Sequence, residues 1–416
     1  MARKPHFQLI ASAMQSVVGR RVPVAGSLLA SPGKLGLHVG PGRFTQQPTI
    51  RCAATMEDVK SLLGKPATKS TGFACLEAKA PLQLHTMELP AELPPTEIDI
   101  QVTHNGVCHS DLHMRDDDWG LSKFPFFAGH EVVGIVTAKG AQVSGLEVGQ
   151  RVGVGWIRCS CRRCGACIKG QENLCAQGYT GLIVNGNNGG FQSVLRAPAD
   201  FSYTLPDELA SEHAAPLLCA GVTVYAPLKR YITRPAMKVA ILGVGGLGHL
   251  GVQYAAALGS VVTAIDNDLS KKEEAKTLGA DEFMHWNDEN LASHTGAFDV
   301  ILNCVSANLD TGKLLAMLRN DGTLVQLGIP GGATMTLPLQ DVVFGQKKVA
   351  GSIVGGRADM HEMLDFSAAK GIKPMIELMP MHKVNEALAR MHSGKAKYRV
   401  VLTMDNCEPA LTNGAS

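Results

Sequence analysis

Acidic residues are missing from the first 56 positions. The first is Glu57, while the same stretch carries Arg3, Lys4, Arg20, Arg21, Lys34, Arg43 and Arg51. With 37 acids in 416 residues, such a gap arises by chance on the order of once in two hundred windows. A basic, acid-free leader without a continuous apolar core is not a secretory signal and reads as an organelle transit peptide. Long apolar runs are missing too; none approaches the 18 or more residues a membrane span needs. Aromatic residues are scarce, at 5%. No set of them is interleaved with basic residues as single-stranded nucleic acid would require.

At 416 residues the chain exceeds one ordinary core, so two domains are expected after the leader. The segment Ile50-Arg51-Cys52-Ala53-Ala54 resembles plastid processing sites, which makes the chloroplast the first choice of compartment and the mitochondrion the second. Cleavage near Cys52 would remove seven of the 39 basic residues and no acid, leaving 32 against 37 and a net charge of −5. A mildly acidic body argues against nucleic acid as the main partner.

Eleven cysteines are present, an odd number, and six of them fall into metal-type spacings. That suits a reducing compartment in which thiols bind metal better than it suits a disulfide framework. The first set lies in Gly106-Val-Cys108-His109-Ser110-Asp111-Leu-His113, running on to Gly129-His130-Glu131. A catalytic zinc takes three protein ligands and keeps one position open. Cys108 and His130 are the first two candidates. Cys219, at the junction between two differently patterned halves, is the third. A buried thiol and a hydrogen-bonded imidazole are the bland alternative for each. The second set, Cys161-x-x-Cys164-x-x-Cys167 with Cys175 seven residues after the last of these, can close a tetrahedral structural zinc. A redox or disulfide-forming lobe, or a nucleic-acid zinc ribbon helped by Arg158, Arg162, Arg163 and Lys169, is the competing reading. Cys159 reads as a spare thiol, and Cys52, Cys75, Cys304 and Cys407 carry no readable role.

From Gly72 the chain breaks into short strands punctuated by glycine. Ile98, Ile100 and Val102 alternate with polar residues as in a half-buried strand, with further strands at 132–138 and 152–156. An antiparallel, barrel-like domain is expected. The pattern then becomes α/β. An apolar strand at 237–242 precedes Gly243-Val-Gly245-Gly246-Leu247-Gly248, then a helix, then a strand ending at Asp266, 23 residues after Gly243. In this context Gly243 makes the turn, Gly245 admits a pyrophosphate and Gly248 allows close helix packing. Further βα units follow, then helices from about Asp359 and a last strand at 398–404 that returns to the first domain. The boundaries read as a transit peptide over 1–52 and a linker over 53–71. A zinc-binding catalytic domain follows from 72–218 and 358–406, a nucleotide-binding domain from 219–357, and a tail from 407–416.

With both cysteine sets and the glycine fingerprint in one order, the chain from about Gly72 to Met404 resembles the zinc-dependent medium-chain alcohol dehydrogenases, most of all their cinnamyl-alcohol-dehydrogenase branch. Glu172-Asn173-Leu-Cys175, Leu218-Cys219-Ala-Gly-Val-Thr223 and Lys397-Tyr-Arg-Val400 complete the match. The resemblance implies a GroES-like antiparallel β-barrel beside a doubly wound parallel-sheet (Rossmann) domain, two zinc ions per chain, NAD(P)(H) and a homodimer. It implies Cys108, His130 and Cys219 on the catalytic zinc, with Glu131 behind it or alternately bound to it and Asp111 holding His130. It also implies a proton path from Ser110 to His113 through the cofactor ribose, His109 and Arg399 near the pyrophosphate, and Thr223 near the nicotinamide. Zinc is a Lewis acid, so a primary alcohol would give its hydride to the nicotinamide, or an aldehyde would take one up.

Two departures bear on specificity. Where the branch usually has small hydroxylated residues, this chain has Asp266-Asn267-Asp268. A carboxylate there suits a ribose hydroxyl and repels a 2′-phosphate. Lys271 is the one family phosphate contact retained, so residue chemistry favours NAD(H), while branch and compartment favour NADP(H). Trp119 and Trp156 resemble the narrow pocket of enzymes acting on short alcohols, or else pack in the core. Compact, unbranched or flat aldehydes and primary alcohols are expected as substrates. The alternatives are a zinc-free quinone or enone reductase of the same superfamily and a non-catalytic redox or nucleotide sensor.

Overall fold

The computed structural model describes residues 60–329 and 334–404. The leader, Cys52, Cys407 and the tail lie outside the described residues. Two sheets carry the architecture. In the first, strand Glu97–Val107 is central, pairing antiparallel with Val132–Lys139, with Val194–Pro198 and with the late strand Arg399–Thr403. Arg151–Val154 and Ser202–Thr204 extend it on one side. A three-stranded antiparallel sheet, in which Lys69–Cys75 is central, completes this half.

Two features depart from the expected alternation. Asp99 and Gln101, read as solvent-facing, are both buried. Asp99 is tolerated because Arg196 grips it with two hydrogen bonds, at 2.7 and 2.9 Å, and the Ala67 N–H adds a third at 2.8 Å. Removing either partner alone would strand a charge inside the sheet, a cost of about 3–5 kcal/mol. The strand Ile376–Pro380 was not legible at all. It runs parallel to Arg399–Thr403, so this sheet is not purely antiparallel.

The second sheet has six parallel strands, in space Glu282–His285, Val261–Asp266, Lys238–Leu242, Phe298–Asn303, Leu318–Gln326 and Lys348–Gly351. In sequence order this is 3-2-1-4-5-6, the doubly wound arrangement whose ligands sit at the carboxyl ends where the order reverses. The reversal lies between Lys238–Leu242, which feeds the glycine loop, and Phe298–Asn303.

A nearly continuous helical segment links the halves: Ser211–Pro216, a π-helical turn over Leu217–Gly221, then Val222–Tyr231. Leu217, Leu218, Ala220 and Val222 on it are fully buried. They fasten it to an apolar core that runs from the first sheet to one face of the second. A smaller core fills the other face of the parallel sheet.

Candidate active site

Strand Glu97–Val107 delivers Cys108 to the first turn of helix His109–Asp116, whose free N–H groups favour a thiolate. Asp111 fixes the turn. Its Oδ2 accepts the Cys108 N–H at 3.0 Å, and its Oδ1 accepts the Gly129 N–H at 2.9 Å and lies 2.8 Å from His130 Nδ1. Holding Nδ1 commits the other ring nitrogen to the site. His130 Nε2 stands 3.3 Å from Cys219 Sγ, brought there from 89 residues away by the π-helical turn, a device common at functional sites.

Cys108, His130, Glu131 and Cys219 each bring one ligand atom, all within 4.8 Å of one another. The residues fit a zinc ion on this chain's own chemistry. A half-buried thiol and a buried one in contact cannot both ionise unaided: the Cys219 hydrogen bond holds Cys108 well below its ordinary value, while the same contact raises Cys219. A divalent cation removes that conflict. Glu131 is ion-paired through Oε1 to Arg399, and its buried Oε2 has no partner. Burial pushes its carboxyl up to about 7 against the pull of Arg399.

The second cysteine set converges in the same way, with Cys161, Cys164, Cys167 and Cys175 ligand atoms within 4.8 Å and no disulfide among them. Backbone N–H groups of Cys167 and Ala176 hold the Cys164 thiol down to about 6. Four soft ligands and no open corner suit a structural zinc. The lobe is anchored by Glu172, fully buried, which accepts the Arg357 backbone N–H at 2.8 Å and its Nε at 2.7 Å. Arg357 was not singled out from sequence. Nothing local marks it, since it lies 185 residues away.

Around the first set, Ser110 Oγ lies 3.9 Å from Cys108 Sγ. His113 Nδ1 pairs with Asp118 Oδ2 at 2.8 Å. Asp118 escaped the sequence reading, although its place at the end of an acidic run, one turn past His113, was visible. Trp156 stands edge-on to His130 at 5.1 Å and donates its indole N–H to the Tyr179 hydroxyl at 3.2 Å. Trp119 meets Trp156 at 6.3 Å and His113 at 4.9 Å. Trp156, a buried core residue, therefore walls the metal set, and Trp119, partly exposed, backs it on the side of His113.

At the glycine loop, Gly243 has φ +87°, which favours glycine, and a methyl group on Gly248 would stand 1.8 Å from the Gly243 carbonyl oxygen. Gly245 has open space where a side chain would be, and Gly246 lies against the Arg399 guanidinium. Leu247 precedes helix Gly248–Ala257. Thr223 is the second residue of helix Val222–Tyr231 after the Cys219 turn, and His109 is exposed.

Asp266, read as a carboxylate suited to a ribose hydroxyl, already has partners on both oxygens. Its Oδ2 accepts the Val244 N–H at 2.7 Å and Lys271 Nζ at 3.0 Å, and its Oδ1 accepts the Asp268 N–H at 3.0 Å. Lys271 is therefore paired, and it also lies 5.9 Å from the Tyr398 ring. Glu274 binds the Tyr398 hydroxyl and Lys397 beside them.

Two family models match the chain: an alcohol dehydrogenase GroES-like domain over 94–207 and a zinc-binding dehydrogenase over 246–369. A probable formaldehyde dehydrogenase AdhA of Bacillus subtilis is 43% identical over 78% of this chain and 95% of its own length. An NADP-dependent alcohol dehydrogenase C of Mycobacterium bovis is 39% identical over 79% and 97%. Among solved structures, a cinnamyl alcohol dehydrogenase of Sorghum bicolor superposes with a TM-score of 0.77 at 36% identity, covering 83% of this chain and all of that one.

Proposed function

Because the chain belongs to the zinc-type medium-chain alcohol dehydrogenases, and so exchanges a hydride between NAD(P)(H) and an alcohol or aldehyde, we propose a narrower reading: it reduces compact, flat or unbranched aldehydes and oxidises the matching primary alcohols, with NAD(H) preferred. The observation carrying the substrate class is Trp156 edge-on to His130 with Trp119 packed against it, a pair of indoles that leaves bulk little room beside the reacting carbon. Zinc bound by Cys108, His130 and Cys219 would supply Lewis acidity toward the substrate oxygen, and a bound nicotinamide would exchange the hydride.

The chain's own residues do the rest. Asp111 orients His130, Trp119 and Trp156 exclude water and fix the substrate plane, and Ser110 takes the hydroxyl proton. His113 then holds it at Nε2, since its Nδ1 is committed to Asp118. An aldehyde panel run on the mature, zinc-loaded chain tests this. Small unbranched and planar aldehydes should turn over at least tenfold more efficiently than bulky secondary ketones. In the same assay Ser110→Ala should lose about 10²-fold in kcat with zinc retained. A preference for sterol-like or secondary substrates defeats the pocket reading, and unchanged turnover of the variant across neutral pH removes Ser110.

Two further readings concern assembly and address. The parallel sheet ends at strand Lys348–Gly351, beside exposed Ile329, Leu339, Val343 and Phe344, the last 82% exposed. An open sheet edge next to an apolar patch supports a homodimer formed there. The acid-free segment 1–52 is read as a plastid transit peptide. Intact mass and sedimentation of the protein recovered from plastids test both together. Two processed chains per particle support them, and a full-length monomer refutes them. No helix among the described residues is long and apolar enough to cross a membrane.

A further inference from the structure

Among the buried ionisable groups that the mechanism above leaves unused, one lies between the cofactor loop and the other half. His249, the second residue of helix Gly248–Ala257, is fully buried between the two halves. Its Nδ1 lies 2.8 Å from the Gly245 carbonyl oxygen, and its Nε2 lies 3.2 Å from the Met375 backbone nitrogen. Only one form of the ring serves both. Nδ1 must carry hydrogen to meet a carbonyl, and Nε2 must be bare to meet an N–H. Burial pushes the imidazole down to about 4, so that neutral form holds throughout the working range of pH.

What lies on either side of the ring gives it a role. Gly245 belongs to the loop that faces a dinucleotide pyrophosphate. The peptide after Gly245 is planar, so a carbonyl drawn to the ring turns the Gly246 N–H the opposite way. Met375 sits just before strand Ile376–Pro380 of the other half, and its carbonyl accepts the N–H groups of Tyr398 and Arg399, each at 3.1 Å. Arg399 in turn holds Glu131 beside the metal set. Tyr398 stacks on the His249 ring at 5.1 Å and 28°. One unbroken line of polar contacts therefore runs from Gly245 through His249, Met375 and Arg399 to Glu131.

We infer that His249 is a positioning residue for the dinucleotide: a neutral imidazole that joins the pyrophosphate loop to the backbone holding the metal-site carboxylate. This rests on the reading that the cleft binds a nicotinamide dinucleotide. Without the joint, the loop and the metal set no longer share one fixed arrangement. The competent arrangement becomes a fraction of the population, and apparent affinity falls by that fraction.

The two contacts can be separated. In His249→Gln the amide oxygen reaches where Nε2 stood and still accepts the Met375 N–H. In His249→Asn the amide reaches only where Nδ1 stood, and Met375 loses its acceptor. With the zinc-loaded protein titrated with NADH and NADPH by fluorescence, His249→Asn should weaken binding of the preferred dinucleotide about tenfold, the scale of one buried donor left unpaired. His249→Gln, whose backbone N–H still donates to the Gly245 carbonyl at 3.0 Å and so keeps the loop tied to the joint, should stay within about threefold of the parent, with both variants holding two zinc ions. Variants that differ from the parent only in melting temperature, or that weaken binding equally, overturn the inference. Absence of dinucleotide binding by the parent would instead defeat the reading beneath it. Should the variants not fold, hydrogen exchange on the parent decides. The Met375 amide should exchange slowly and slow further with saturating dinucleotide, whereas fast exchange in both states overturns the joint.

Discussion

Cys219→Ala should leave a folded protein with one zinc ion per chain in place of two, and aldehyde reduction should fall by about 10³-fold or more. The fold should survive because the thiol is small and the π-helical turn is held by its apolar neighbours: Leu217, Leu218 and Ala220 are all fully buried. The metal should not survive, because two remaining strong ligands and a carboxylate committed to Arg399 make a poor grip. The cysteine lobe shares no ligand with this set, so its zinc is an internal control. Metal analysis with steady-state kinetics reads both results. Two zinc ions and near-parental turnover in the variant would show that Cys219 is core filling and that a different residue completes the site.

The second large effect concerns the dinucleotide. Three carboxylates (Asp266, Asp268, Glu274) and two ammonium groups (Lys271, Lys397) cluster where the second parallel strand ends, a local balance of −1. A 2′-phosphate brought there must meet a carboxylate already engaged by Val244 and Lys271. At about 4 Å and an effective dielectric near 20, one like-charge contact is worth up to roughly 4 kcal/mol, and Lys271 can offset only part of it. The parent should therefore use NADH at least about 30-fold more efficiently than NADPH, unlike the NADP-dependent relative from Mycobacterium bovis. Asp266→Ser frees Lys271 for a phosphate and should move the NADPH-to-NADH ratio of kcat/KM by about 10²-fold toward NADPH. It also takes an acceptor from the Val244 N–H, so some efficiency with NADH should be lost as well. A parent that favours NADPH would show that Lys271 and Lys397 outweigh the carboxylates.

Much of the site was legible because zinc and pyrophosphate chemistry demand residue types at short spacings. Cys161 to Cys175, Gly243 to Gly248 and Cys108 to Asp111 are each a single turn or loop, and a turn is written in consecutive residues. Buried Asp99 was misread because its partner, Arg196, is 97 residues away and alternation says nothing about distant charges. The strand Ile376–Pro380 escaped because Glu377 breaks its apolar run, Pro380 ends it early, and only its partner strand reveals it. Asp266 was read correctly as an acid at the end of a strand, but its engagement with Val244 and Lys271 depends on how the loop folds back.

By itself the sequence determined the kinds of ligand, their local order, the glycine loop and the family that these define. Local spacing survives folding unchanged, so it can be read directly. Only the tertiary structure decided which distant residues meet: Cys219 with His130, Arg399 with Glu131 across 268 positions, and His249 with Met375 across 126. Those meetings follow from a π-helical turn, a returning strand and the packing of two sheets against one helical segment. Each of these depends on burial summed over the whole core, and no short stretch of residues encodes it.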